Sequence, residues 1–484
     1  MKTTLQYHPE NQLPYWPKLY SRKALIFSIL IIALFNIIFM RIAMPAFMII
    51  AGITILFFFF YSLAYYTLKW QAIPLKVLYQ KLFLFSLLYR LVFLAYVYLL
   101  TYLYDPTNLE MDFGAMDAWR FYGSAMALKA KLFQPEYWNT LAQYWRNPAD
   151  WGFPIYLSII HYAFGNSVFI PKLINCFLGS LTVVYLTKLA YHQHGVIYAR
   201  IVGITAMLIP TLLWFSCRYL KEPLMIFLIV IIFYHSVRIV KRRQINILSI
   251  LIIVFFTYFL FYFRTVLAVL VIFSIVSFFL LNSLRGGFRN IIIIISTIIF
   301  LFAIFRLAQQ SAQIYEVEEQ YDQSFTIGPK NVEYSIFRLK NISVKTTTVY
   351  PLIIASSFFA PFPSFLNLDE RQLLIIAHYP NELVRNIIYY FALLGIFSAF
   401  RKKLKENILL LTFVIGYILI LGITGNAQLE RFQVPALPFI IVFISAGIVD
   451  SHVLWHKRFN LYLIIMFCIE ASWNIFKMDI RGIL

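Results

Sequence analysis

The chain has 484 residues, of which 61% are apolar, 19% aromatic and only 13% charged; a soluble globular protein is nearer about 45–50% apolar and about 25% charged. This balance excludes a soluble enzyme and points to an integral membrane protein. The formal net charge of +20 then reads as basic cytoplasmic loops of a polytopic chain, not as a nucleic-acid-binding surface.

From the N-terminus, residues 1–23 are polar and basic (Lys18, Arg22, Lys23), and the apolar run that follows reads as a retained first span and not a cleavable signal. Runs long enough to cross a bilayer as helix recur at 24–40, 42–66, 82–104, 167–191, 196–216, 222–240, 245–262, 266–283, 290–308, 383–400, 407–424, 433–450 and 459–476. The alternating short segments of a β-barrel do not appear. The expected fold class is an all-α polytopic membrane protein of about 11–13 transmembrane helices. Two stretches, 152–164 and 349–366, are apolar but short and carry Pro154, Pro351, Pro361 and Pro363. They suit interfacial or re-entrant helices better than spans. Arg90 falls in the middle of a span, where a charge is costly and implies a function or an internal partner. Cys176, Cys217 and Cys468 lie in or beside apolar runs and indicate neither a disulfide framework nor a zinc site.

Charge sets the orientation. With the N-terminus inside and neither short stretch crossing, Lys69, Lys76, Lys81, the 238–243 cluster, Arg285, Arg289, the 401–405 cluster, Lys457 and Arg458 all fall inside. Nearly every acid then lies outside, in the loop 105–166, the connection 217–222, the loop 309–382 and the turn 425–431. The whole chain is thus expected as one membrane domain, with 105–166 as a first outer loop bearing amphipathic helices and 309–382 as a second, a possible lid. Long loops gathered on one face are where a site is built.

In the first outer loop the pattern from Asp117 is helical. Asp117, Arg120 and Ser124 share one face, and Trp119, Tyr122, Met126 and Phe133 share another. An amphipathic helix of this kind lies on a membrane surface with its aromatics among the headgroups. Glu110, Asp112 and Asp117 come close together at its start. Carboxylates there gain from the helix dipole, which is the purely structural alternative to a catalytic role. Trp119, Tyr122, Trp138, Trp145 and Trp151 crowd the same loop, as an interfacial belt or as faces for stacking on a sugar. Arg218 and Lys221 stand at i, i+3 in SCRYLKEPL, and Glu222 is placed to pair with Arg218 at i, i+4. Arginine offers a fork to phosphate and lysine a point charge, so the pair reads either as phosphate ligands or as headgroup anchors. Arg264 in FLFYFRTVL occupies another outer junction and is a weaker candidate of the same kind.

The stretch MDAWRFYGSAMALKAKLF resembles the acidic helix that opens the first periplasmic loop of GT-C glycosyltransferases. The likeness is nearest to the aminoarabinose transferase and protein O-mannosyltransferase branch. Asp150–Ala190 is similar to that branch's proline-containing segment and following helix, and LERFQVPALPF at 429–439 to its late Glu-x-Arg-Tyr stretch. Ala118 stands where the branch has the second acid of a pair, and Phe153-Pro154 replaces a Pro-Pro. The resemblance implies a GT-C-like bundle that moves a sugar from a polyprenyl-phosphate donor to an acceptor outside the membrane, with inversion. Residue by residue, it implies Asp117 as the catalytic base and sets Asp150 near, though out of register with, a second loop acid; Asp112, close to the helix start, is a further candidate from its position alone. The resemblance also implies Arg431 as a donor-phosphate ligand, which joins the substrate-binding candidates read from their own positions: Arg218, Lys221, Glu222, Arg264 and Tyr122. Some relatives use a divalent ion, and Glu110 with Asp112 would form the carboxylate pair for Mg or Mn. The expected partners are the lipid-linked donor, a glycan, lipid or protein acceptor and membrane lipid, with no nucleic acid. The expected location is a bacterial inner membrane with the site facing the periplasm.

Two other classes remain open on sequence. A polysaccharide polymerase or O-antigen-type ligase would rest on the late loop, where Asp369, Glu370 and Arg371 stand. A lipid-linked sugar flippase or transporter predicts internal repeats and ionisable groups near the midplane, and only Arg90 fits that description.

Overall fold

The computed structural model of the chain describes residues 16–108, 111, 116–145, 150–242, 246–283, 357–367, 377–423, 429–450 and 458–480. The helices in order are α1 (Lys18–Ile38), α2 (Ala46–Lys69), α3 (Leu75–Tyr104), α4 (Met116–Ala130), α5 (Tyr137–Tyr144), α6 (Gly152–Phe164), α7 (Phe169–His194), α8 (Val196–Leu208) and α9 (Pro210–Ser216). They continue as α10 (Glu222–Arg242), α11 (Ile247–Phe261), α12 (Thr265–Ser283), α13 (Tyr379–Lys402), α14 (Leu404–Ile423), α15 (Glu430–Gln433), α16 (Leu437–Asp450) and α17 (Phe459–Ile480). Regular structure among the described residues is helical, apart from one isolated bridge between Ala43 and Leu366.

Proline and glycine punctuate the helices. Pro17, Pro45 and Pro74 immediately precede α1, α2 and α3, where a missing N–H costs nothing. Gly165 and Gly195 close α6 and α7 at φ values of 85° and 99°, a region open to glycine at no steric cost. Among the described residues nine helices are long and apolar enough to cross a membrane: α1, α2, α3, α7, α10, α12, α13, α14 and α17. The chain is an integral membrane protein of the polytopic helical type. Large apolar side chains on α1, α2, α3 and α11, such as Leu30, Phe57, Leu84 and Phe255, stay exposed, as lipid-facing residues must.

Three expected spans are modified. The run 196–216 is not one helix: it breaks at Ile209, which takes the extended conformation that a following proline imposes, and α8 and α9 meet at a bend of 54°. The runs 245–262 and 433–450 yield α11 and α16, of 15 and 14 residues, shorter than about 20 residues needed to cross straight. The expected span 290–308 lies outside the described residues. The 152–164 stretch is a short helix as expected; of the 349–366 stretch, residues 357–366 are turn and extended chain, while 349–356, with most of the expected second outer loop 309–382, lies outside the described residues.

Helix α13 lies closest to α16. A Cβ on Gly395 would sit 1.8 Å from the Phe443 carbonyl oxygen, and one on Gly447 would sit 1.9 Å from that of Phe391. Two facing glycines therefore let these helices touch backbone to backbone. Helix α7 packs on α3, α8 and α10, and this contact accommodates Arg90. The buried Arg90 guanidinium donates to the Ser86 carbonyl at 3.2 Å and to its hydroxyl. Gly179 of α7 provides the space, since a Cβ there would stand 2.5 Å from Arg90 Nε. The internal partner that the midspan charge demanded is the adjacent turn of its own helix.

Helix α4 leaves Trp119 open, as a helix with its aromatics among headgroups would, and turns another face to the protein. Ala118, Phe121, Ser124, Ala125 and Leu128 turn inward, while Trp119 is 45% and Phe133 is 86% exposed. Small alanines allow α4 to approach α6 closely, and Phe121 stacks on Trp145 at 5.0 Å and meets Phe153 edge-on at 4.9 Å. Shape complementarity to α6, not hydrophobicity alone, selects the buried face.

Candidate functional site

The one-turn helix α15 is the hub. Successive residues on a helix point about 100° apart, so its four side chains reach different parts of the chain. Glu430 turns to α9 and the start of α13: Thr211 donates to its Oε1 at 2.9 Å, and His378 contacts its Oε2 through Nδ1. Arg431 turns to α10 and α4. Phe432 offers its ring to Arg264, whose guanidinium lies 4.6 Å from the centroid. Gln433 accepts from Arg385 at 3.4 Å and donates to the Ser357 carbonyl at 2.9 Å.

Arg431 joins two carboxylates. Its Nε donates to Glu222 Oε1 at 2.5 Å, and its NH1 donates to Asp117 Oδ2. The three residues come from α15, the first position of α10 and the first turn of α4. Their surroundings differ sharply: the Glu222 side chain is 0% exposed, Arg431 20% and Asp117 59%. Burial works against the charge on Arg431, but the Glu222 and Asp117 carboxylates outweigh it and hold the guanidinium pKa above its ordinary value.

Beside this trio lies a second ion pair. Lys221 Nζ donates to Asp150 Oδ1 at 2.6 Å and to the Phe263 carbonyl at 2.9 Å. Burial pulls the Lys221 pKa down, Asp150 opposes that, and nearby Arg264 adds to the lowering. The turn 217–221 is held in place by Asn175 of α7, whose amide donates to the carbonyls of Arg218 and Leu220 at 2.9 and 3.0 Å. Arg218 is buried, with its guanidinium 5.6 Å from the Trp214 ring centroid. Arg264 donates to the Tyr417 hydroxyl at 3.2 Å, which itself donates to the Phe432 carbonyl at 2.7 Å. Tyr122 meets the rings of His161 at 5.6 Å and Tyr219 at 6.4 Å edge-on. His161 and Tyr219 are hydrogen-bonded at 2.8 Å, so α4, α6 and the 217–221 turn share one aromatic joint.

The structure thus gathers Asp117, Asp150, Arg218, Lys221, Glu222, Arg264, Arg431 and Tyr122 at one end of the bundle. One expected pairing is corrected. Glu222 pairs not with Arg218, four residues before it, but with Arg431, 209 positions away. Arg218 instead folds over Trp214. Asp112 and Glu110, including the pair suggested for Mg or Mn, lie outside the described residues, as do Asp369, Glu370 and Arg371. The described carboxylates of the site each engage a cationic side chain, and among the described residues no three His, Cys, Asp or Glu side chains gather as a metal site.

Sequence reasoning passed over Thr211, His378, Glu430, Arg385 and Gln433. The available signal was polar spacing inside an apolar run: Asn381, Glu382, Arg385 and Asn386 recur at helical intervals in NELVRN. No family model, no curated protein and no solved structure matches the chain.

Proposed function

We propose that the chain is an inverting glycosyltransferase that moves a sugar from a polyprenyl-phosphate donor to a polysaccharide, lipid or protein acceptor. We place the reaction on the outer face of a membrane, in a bacterium the periplasmic face of the inner membrane. The observation that carries this reading is Arg431 held between Glu222 and Asp117. It sets a cation suited to a departing phosphate against a carboxylate suited to a proton.

In this reaction the acceptor oxygen attacks the anomeric carbon while Asp117 takes its proton. The carbon–oxygen bond to phosphate breaks, and the phosphate leaves with the electron pair. Arg431 meets the charge that develops there, and Lys221, Arg218 and Arg264 add positive potential around it. Asp150 keeps Lys221 charged within a buried site, a positioning role and not a catalytic one. Tyr122, on the same helix as Asp117, supplies an aromatic edge for the sugar.

A polymerase or O-antigen-type ligase is the second reading. It is favoured by the grip of Arg385 on the late segment, where it donates to the carbonyls of Phe359 and Pro361 at 3.0 and 2.5 Å. The test is single-turnover transfer or donor hydrolysis with radiolabelled polyprenyl-phosphate sugars, using purified protein in lipid. Loss of turnover in Asp117→Asn is the expected result. Turnover untouched by that change but lost in Asp369→Asn or Arg371→Gln would move the chemistry to the late loop.

A further inference from the structure

Two carboxylates share one guanidinium at α15, and they are not equivalent. Glu222 is fully buried at the head of α10, and Nε reaches it at 2.5 Å. Removing Arg431 from it would strand a buried charge, so this contact is permanent. Asp117 is 59% exposed on the first turn of α4. An ion pair so open to water contributes little and is readily exchanged. A guanidinium presents five N–H donors in a planar fork that fits phosphate oxygens as well as carboxylate oxygens. Asp117 and a phosphate therefore compete for the same N–H edge. The neighbouring cations do not offer the same exchange: Lys221 is committed to Asp150 and the Phe263 carbonyl, and Arg264 to Phe432 and Tyr417.

We propose that Arg431 is an exchange site for anionic groups, in which Glu222 is the fixed ligand and Asp117 is the ligand that a phosphate ester displaces. This rests on the glycosyltransferase reading above and extends it. A carboxylate bound to a guanidinium is a poor proton acceptor, and one displaced by the donor's phosphate is free beside the reacting carbon. Binding of the donor and release of the base become one event. Glu222 is a positioning residue that keeps Arg431 in place through the exchange.

The experiment is equilibrium binding to the full-length protein in nanodiscs. The probes are undecaprenyl monophosphate, phosphatidic acid and inorganic phosphate. Asp117→Asn removes the competing anion and is expected to bind undecaprenyl monophosphate about fivefold tighter or more, the lower end of ordinary coupling between sites. Glu222→Gln with Arg431→Gln, a double change that leaves no stranded charge, is expected to weaken binding. On that background Asp117→Asn should have no further effect. Carbodiimide labelling of Asp117, read by mass spectrometry, should rise in the wild type as the phosphate lipid is added. An increase produced equally by inorganic phosphate supports exchange with a free anion, and one confined to the polyprenyl lipid supports exchange with its headgroup. Binding that is lost in the double variant but not tightened by Asp117→Asn overturns the exchange while leaving Arg431 as a phosphate ligand. Binding unchanged in the double variant overturns both the exchange and the placement of phosphate at Arg431.

Discussion

Arg431 and Arg385 are both tied to the one-turn helix α15, yet their environments are opposite. Arg431 is bound to side chains, one of them open to water. Arg385 is buried and bound mainly to main-chain carbonyls, those of Phe359 and Pro361, with Gln433 of α15 as a third partner. Near Arg385, Asn386 donates to Glu470 at 3.3 Å, and Asn474 of α17 donates to the Pro363 carbonyl at 3.0 Å. The first arrangement can exchange a partner, whereas the second fastens the segment 357–367 to α13, α15 and α17. One arginine faces a partner that water can reach, and the other is locked among buried partners.

The largest expected effect separates these roles. Asp117→Asn should cut transfer by about 10²–10⁴-fold, the usual contribution of a positioned base, with the thermal unfolding midpoint almost unmoved. Measuring both quantities on one preparation checks it; a large drop in the midpoint would make Asp117 structural and erase the contrast. Arg385→Met should do the reverse. Leaving its buried acceptors without a donor should cost about 1–3 kcal/mol for each, seen as loss of monodisperse protein or as a lower unfolding midpoint in micelles.

The contrast is sharpened by a change that touches neither arginine. Gly447→Val places a side chain against the Phe391 carbonyl and forces α13 and α16 apart, at a cost of about 1–3 kcal/mol or more. Because α13 carries Arg385 and α16 follows α15, the stability loss should come with a smaller loss of turnover, measurable in the same unfolding and transfer assays. The smallest effect concerns Lys221. Its folded-state pKa is depressed, chiefly by burial, so between that value and the ordinary 10.5 the folded protein holds fewer protons there than the unfolded chain. Stability gained at this site therefore rises with pH across that window, by at most about 1.4 kcal/mol per pH unit. Lys221→Met should flatten this rise in stability, read as the unfolding midpoint across alkaline pH.

Much of this molecule is legible residue by residue. Composition and run length give the membrane class and most of the spans, because burying backbone polar groups in lipid leaves only helices or barrels as solutions. Charge and local motif also single out Asp117, Asp150, Lys221, Glu222 and Arg431. Partner choice is not legible in the same way. Local spacing offers Arg218 to Glu222, but the fold brings Arg431 to it from 209 positions away. The buried face of α4 is decided likewise by the fit of Ala118, Phe121 and Ala125 against α6, a partner that the local pattern does not name.

Local pattern carries most of the apolar helices and the ionisable residues at their ends. Those properties depend on neighbours within a few turns. It took the folded arrangement of the helices for the single turn Glu430–Gln433 to reach α4, α9, α10 and α13 and to set one guanidinium between a buried and an exposed carboxylate. That outcome depends on the break before Pro210, on the close approach at Gly395 and Gly447, and on Asn175 holding the 217–221 turn. The break follows locally from Pro210, but the other two are packing contacts between distant parts of the chain, and local pattern carries no record of them.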